Sequence, residues 1–312
     1  IQKIVNFSEG RLHLDLSYLE FHKNPERSYS DKFIEIFGPP ATNFSNPFED
    51  MSSEYHRFCD IAASAQKWTE QLIEEIVNYA VSATECRNVV FAGGVAHNCV
   101  AVAKLLENDG IDQLVIPPSP GDSGAALGAA LYAYMRNGVE CPPEPVMYPG
   151  VSPARPNVMD ELFRLTVDKE VMFEGCADLL KQGDIVATFL GNCEMGPRAL
   201  GHRSLLCNAA DGPTVEKLNF AIKKREKFRP LAPMLKLDSA YQYFHICPKN
   251  VEIYSWMGSV ATARPNTHAK FSAVLHVDGS ARLQTVTQDQ RDLWELLSAC
   301  EARDMPMLVN TS

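Results

Sequence analysis

Paired cysteines, long apolar runs and an excess of positive charge are all missing from this 312-residue sequence. Its nine cysteines lie singly between Cys59 and Cys300 with no CxxC pair, which argues against a disulfide framework and against a thiolate zinc site. No apolar run approaches the roughly 20 residues of a membrane span. The opening Ile1-Gln2-Lys3-Ile4-Val5 also lacks the basic-then-apolar order of a secretory leader. Reduced thiols, a cytoplasmic location and no membrane partner are therefore expected. Acidic residues outnumber basic ones, 39 to 29, for a net charge of -10. That balance disfavours nonspecific nucleic-acid binding, so an anionic substrate would need a local cationic patch. Internal repeats and low-complexity tracts are absent too. The sequence opens and closes on what read as strands, the last being Leu308-Val309-Asn310-Thr311-Ser312, and this predicts a piece of a longer protein.

What is present has the size and patterning of two domains, with 46% hydrophobic residues to build cores. From Ser53 to Ala83, apolar residues at Ile61, Ala65, Trp68, Leu72, Ile73, Ile76 and Ala80 recur at helical spacing and predict one long amphipathic helix. Asn88 to Ala92 reads as a buried strand that breaks at Gly93-Gly94 before a helix through Leu106. Leu114 to Ile116 is a second strand, followed by a proline loop and a small-residue helix from Asp122 to Tyr134. Strand, glycine turn, helix, strand, loop, helix is an α/β layout with ligand-facing loops at strand ends. Residues 138–157 are proline-rich and read as a linker. Beyond them, strands are expected at Ile185–Leu190, Ser204–Ala210, Phe271–Val277 and Arg282–Val286, with helices at Thr214–Lys224 and Gln290–Glu301. That pattern predicts an α+β domain on a mixed sheet.

Several segments could carry chemistry. Gly93-Gly94-Val95-Ala96-His97-Asn98 stands between a strand and a helix start, where backbone N–H groups can meet a phosphate, although such a turn is more often only a turn. In Pro120-Gly121-Asp122-Ser123-Gly124, Asp122 could bind a metal or simply cap its helix. The loop Glu194-Met195-Gly196-Pro197-Arg198-Ala199-Leu200-Gly201-His202-Arg203-Ser204 places two arginines, whose planar forks suit phosphate and carboxylate, between apolar strands. Ile222 to Pro233 is a basic run with Arg229 set between Phe228 and Pro230. From Arg198 to Arg229 there are eight Lys or Arg against three Asp or Glu, a reversal of the chain's overall sign. Asp278 to Val286 and Asn310-Thr311-Ser312 complete the set, each weak alone.

In this order the segments GGVAHNCVAVAKL, PPSPGDSGAALGAA, EMGPRALGHRS, IKKREKFRPLAP, DGSARLQTV and the terminal NTS resemble the nodulation-type and antibiotic-tailoring O-carbamoyltransferases. The resemblance implies the latter half of an actin and sugar-kinase-like (ASKHA) carbamoyl-transfer domain over 1–150. A YrdC-like carbamoyl-adenylate-forming domain, truncated at its C-terminus, would occupy 151–312. It implies an enzyme that makes carbamoyl-adenylate from carbamoyl phosphate and ATP with Mg²⁺, then passes the carbamoyl group to a hydroxyl of a small-molecule acceptor such as a sugar or aminoglycoside. Arg198, Lys223 and Arg229 would be catalytic. Gly93, Gly94, Val95, Asn98, Arg203, Arg282, Asn310 and Ser312 would bind nucleotide, intermediate or phosphates. Asp122 would be the remaining ligand of an Fe²⁺ or similar divalent site whose two histidines lie upstream of Ile1. A homodimer is compatible with all of this. His97, Ala101-Val102 and Asn192-Cys193 depart from the family pattern without removing a charge that the mechanism needs.

Rival readings remain at this level. A threonylcarbamoyl-type tRNA-modifying transferase or a hydrogenase-maturation carbamoyltransferase would share both folds, but the acidic charge argues against tRNA and no acylphosphatase-like or zinc segment is seen. A sugar kinase would leave the arginine-rich half unexplained. A noncatalytic nucleotide-binding module is the alternative from another class.

Overall fold

The computed structural model describes residues 1–40, 53–140, 147–150, 168–226 and 228–312. They form two compact units, Ile1–Val89 with Asn108–Ile111, and Val90–Glu107 with Asp112–Ser312. Most of the linker expected over 138–157 lies outside the described residues.

The first unit opens with an antiparallel hairpin, β1 (Val5–Ser8) and β2 (Arg11–Leu14). Its turn residues Glu9 and Gly10 have φ of 51° and 73°, the doubly left-handed turn whose twist matches paired strands. Helix α1 (Asp31–Phe37) starts where the Ser30 hydroxyl accepts the Phe33 N–H at 3.3 Å and stops at Gly38. The expected long helix is α2 (Ser53–Thr84). Leu72, Ile73 and Val77 form its buried stripe, while Ile76 is exposed. The Trp68 indole donates to Val5 O at 2.8 Å and Tyr79 meets Phe7 edge-on at 5.6 Å, pinning the hairpin along the helix. The short strand β3 (Asn88–Val90) follows.

The second unit is α/β. Helix α3 (Cys99–Glu107) buries Ala101, Val102, Leu105 and Leu106 at helical spacing; β4 (Gln113–Val115) and α4 (Asp122–Arg136) come next. Then follow α5 (Lys169–Lys181), β5 (Val186–Phe189), β6 (Arg203–Asn208), α6 (Gly212–Lys217), β7 (Ala232–Lys236), α7 (Leu237–Tyr243), β8 (Phe244–His245) and β9 (Val260–Ala263). The chain ends with α8 (Pro265–Phe271), β10 (Ser280–Arg282), β11 (Gln284–Val286), α9 (Arg291–Glu301) and β12 (Leu308–Thr311). A five-stranded mixed sheet has the order β11-β7-β12-β6-β5, parallel only between β11 and β7. A small antiparallel sheet has the order β10-β9-β8.

Phe173, Ala177 and Leu180 of α5, and Leu293, Leu297 and Cys300 of α9, recur at four- and three-residue steps and are all buried. These stripes meet Leu206, Met234, Val286 and Leu308 from the large sheet. Each fully buried leucine contributes about 1.5–3 kcal/mol, so this packing anchors the helix pair to the sheet.

Three local expectations change. Phe271–Val277 is no strand: Pro265 at the first helical position starts α8, and a 3-10 turn continues through Ser272–Val274 with Phe271 and Val274 buried three residues apart. The helix expected to Lys224 is α6 followed by a wide π-type turn over Leu218–Ile222. Arg282–Val286 is two strands in different sheets, divided at fully buried Leu283. That division sets Arg282 at the seam of the two sheets, where the C-terminal end of β12 also lies beside β7, with Asn310 opposite Ala232.

Candidate functional site

The loop before β6 is held from three sides. One oxygen of Glu194 accepts the N–H groups of Leu200, His202 and Arg203 at 2.9, 2.9 and 3.0 Å. Arg203 turns inward, donating to Leu190 O at 2.6 Å, His202 O at 3.0 Å and Gly191 O at 2.9 Å, with its guanidinium 3.8 Å from the Phe189 ring. The Tyr148 hydroxyl and the Gln284 amide both donate to Leu200 O, at 2.9 and 2.8 Å. Gly196 has φ 96° and a Cβ there would lie 2.9 Å from the Ser119 hydroxyl, so the tip can close only as glycine. Arg198 stands on this fixed tip.

Arg198 faces a cavity of about 340 Å³, within the range of small-molecule sites. Its other charged lining residues are Arg225, Arg229 and Arg282, with Cys99, Met257, His276 and Asn310 to Ser312 around them. Among the described residues, no Asp or Glu lines it. Arg229 pairs with Glu226 at 2.7 Å, whereas Arg198, Arg225 and Arg282 form no ion pair with a described residue. A larger, open groove between α5 and α9 is different in kind. Its Lys169 and Arg291 are paired to Asp292 and Glu295, at 2.8 Å each, and Glu170 and Glu174 also line it.

The electrostatics are those of an unneutralised cationic pocket. Burial first, then repulsion from Arg198, pushes the Arg282 guanidinium down to about 10. Its Nε is buried with no hydrogen-bond partner, as is Oδ1 of Asn310. Like charges gathered in low dielectric around an orphaned donor are costly unless an anion completes them. Burial also raises the Cys99 thiol, against the opposing pull of Arg282 and Arg198. His97, behind Arg198, is lowered by burial and by that arginine.

Of the residues singled out in the sequence, Arg198, Arg229, Arg282, Asn310 and Ser312 meet in this one cavity. Lys223 Nζ contacts Ser312 O at its edge. Arg203 is spent inside the loop. Gly93, Gly94, Val95 and Asn98 do not line the cavity; the Asn98 side chain accepts from Ala101 N at 3.2 Å, starting α3. Asp122 is exposed in the first turn of α4, with Gly121 as the capping residue and no side-chain cap bond. Among the described residues, no three His, Cys, Asp or Glu groups converge as metal ligands. Arg225, Cys99, Met257 and His276 were missed. The basic run pointed towards Arg225, but nothing local marks the other three.

Two family descriptions match the chain: Carbamoyltransferase N-terminus over residues 2–131 and Carbamoyltransferase C-terminus over 177–312. The chain belongs to the carbamoyltransferase family. It is similar to Nodulation protein NolNO of Sinorhizobium fredii, 31% identical over 81% of this chain and 38% of that protein. It is also similar to 3'-hydroxymethylcephem-O-carbamoyltransferase of Streptomyces clavuligerus, 30% identical over 81% of this chain and 47% of that protein. The chain thus spans less than half the length of either of these relatives. Among solved structures it is similar to full-length HypF in the phosphate- and nucleotide-bound form at 19% identity, over 48% of this chain and 18% of that one, with a TM-score of 0.33, too slight a likeness to carry an argument. The arginine cavity is built from residues within the C-terminal family segment, apart from Cys99.

Proposed function

We propose that this chain carries the adenylating half of an ATP-dependent O-carbamoyltransferase. The observation that supports this most is the cavity with four arginines and no carboxylate in its lining. Carbamoyl phosphate and the ATP phosphates are the anions that fit such a set. Once water has displaced inorganic phosphate from carbamoyl phosphate, a carbamate oxygen attacks the α-phosphorus of ATP, an O–P bond forms, and pyrophosphate leaves with the electron pair. Arg198, Arg225, Arg229 and Arg282 neutralise charge that builds on the phosphoryl oxygens, and Lys223 with Ser312 closes the edge. An acceptor hydroxyl then attacks the carbamoyl carbon of the adenylate and AMP leaves.

The lining has no carboxylate to hold Mg²⁺, so that ion enters on the nucleotide's phosphates. Asp122 by itself does not make an iron site with the described residues. The acceptor is a small-molecule hydroxyl, since a net charge of -10 suits neither tRNA nor another polyanion. The actin-like and YrdC-like assignments of the two halves belong to this same reading.

The test is pyrophosphate release from Mg·ATP with and without carbamoyl phosphate. Release should require carbamoyl phosphate and fall at least about 100-fold in Arg198→Ala, the scale for removing one preorganised charge-stabilising group. ATP cleavage to ADP, or release indifferent to carbamoyl phosphate and to Arg198, would overturn the reading.

A further inference from the structure

A directed string of hydrogen bonds runs up to the cavity wall from behind. Asp278 Oδ1 accepts from the Ser280 N–H at 2.9 Å and from the Ser280 hydroxyl at 2.7 Å. With its one proton committed to Asp278, Ser280 Oγ meets His276 Nδ1 at 2.9 Å as an acceptor. An acceptor there requires Nδ1 to carry the hydrogen, which leaves Nε2 of a neutral ring as a bare lone pair. The backbone locks the ring's position: His276 N donates to Ser280 O at 2.7 Å and Gly279 N to His276 O at 2.9 Å. Gly279 takes φ 78° to close this turn. His276 lines the arginine cavity, and among the described residues only its Nδ1 finds a hydrogen-bond partner.

We propose that His276 is a general base, oriented by Ser280 and Asp278, that takes a proton from the water that cleaves carbamoyl phosphate in this cavity. The proposal rests on the reading of the cavity as a carbamoyl phosphate site. It deepens that reading because a carbamate oxygen is free to attack ATP only after the phosphate has gone. The water oxygen bonds to the carbonyl carbon, the bond from that carbon to the bridging oxygen breaks, and inorganic phosphate leaves with the electron pair. One water proton passes to His276 Nε2 and the other to the departing phosphate, which leaves as hydrogen phosphate. Carbamate remains beside the arginines, ready for the α-phosphorus of ATP.

Burial favours the neutral ring. Burial lowers its proton affinity most, Asp278 opposes that, and Arg282 adds to it. Arg198, Arg225 and Arg229 share the same wall, with the Cys99 thiol. Among the described residues that line this cation-rich site, His276 is the one imidazole. Protonation of Nε2 on the acid side of the ordinary histidine range would end its action.

The experiment supplies the carbamate by two routes and reads pyrophosphate release from Mg·ATP. One route is carbamoyl phosphate, and the other is ammonium bicarbonate, whose solutions contain carbamate and need no cleavage step. His276→Gln should lose about 100-fold or more with carbamoyl phosphate, the scale of one general base, while keeping most of its rate with ammonium bicarbonate. Ser280→Ala should show the same split to a smaller extent. The acid limb of kcat/KM for carbamoyl phosphate should disappear in His276→Gln. Equal losses by both routes, or no loss by either, would overturn the base assignment. A wild-type chain active only with ammonium bicarbonate would overturn it too while sparing adenylation, whereas a wild-type chain inactive by both routes would remove the adenylating reading itself.

Discussion

Replacing Glu194 with alanine removes a single oxygen on which three backbone N–H groups converge, those of Leu200, His202 and Arg203. Each is a charge-assisted bond, and a half-buried donor left without a partner costs about 1–3 kcal/mol. Water can reach part of this loop, so the lower end applies to each, giving about 3 kcal/mol for Glu194→Ala. Glu194→Gln keeps an acceptor oxygen but loses the charge, and should cost about 1–2 kcal/mol, since charged hydrogen bonds exceed neutral ones by under about 1 kcal/mol apiece here. Urea unfolding of wild type and both variants measures the ladder. Because the loop carries Arg198, the same variants should weaken carbamoyl-phosphate-dependent pyrophosphate release in the same order. A Glu194→Ala protein with unchanged unfolding midpoint and unchanged turnover would refute the claim that this carboxylate sets the loop.

Two further outcomes are expected. Arg282→Met replaces a buried, unpaired guanidinium with an apolar group of similar length, so the empty protein should be as stable as wild type or more stable by about 1–2 kcal/mol, while pyrophosphate release is lost; thermal unfolding beside the turnover assay checks both. Gly124→Ala would set a Cβ 1.9 Å from the Ser119 carbonyl oxygen, so α4 must shift and stability should fall by more than about 2 kcal/mol, read by urea unfolding.

Amphipathic periodicity made α2, α3 and α9 legible, because each must bury one stripe and the stripe is written at helical spacing. The loop EMGPRALGHRS was also legible as a fixed arginine platform, since two glycines and a proline between apolar strands leave few paths for the chain. Strand β7 was not. Ala232-Pro233-Met234-Leu235-Lys236 overlaps the basic run and contains a proline, which is unfavourable inside a sheet, yet all five residues are buried with β12 and β11 on either side. Phe271–Val277 misled in the opposite direction: Phe271, Ala273, Leu275 and Val277 alternate as a strand would, yet the buried pair Phe271 and Val274 is three residues apart, the step of a helical turn.

The sequence alone showed a local reversal of charge, eight basic residues against three acidic ones between Arg198 and Arg229 in an acidic chain, the kind of patch an anionic ligand needs. Which of those charges act together was decided by the tertiary structure. Arg203 and Arg198 are five positions apart, yet one is consumed by backbone carbonyls and the other left facing the cavity. Arg282, Asn310 and His276 come to Arg198 from far along the chain because β10, β11 and β12 end at one seam. Local patterning cannot encode that meeting, since it follows from the order in which strands pair and from the cost of burying like charges without an anion.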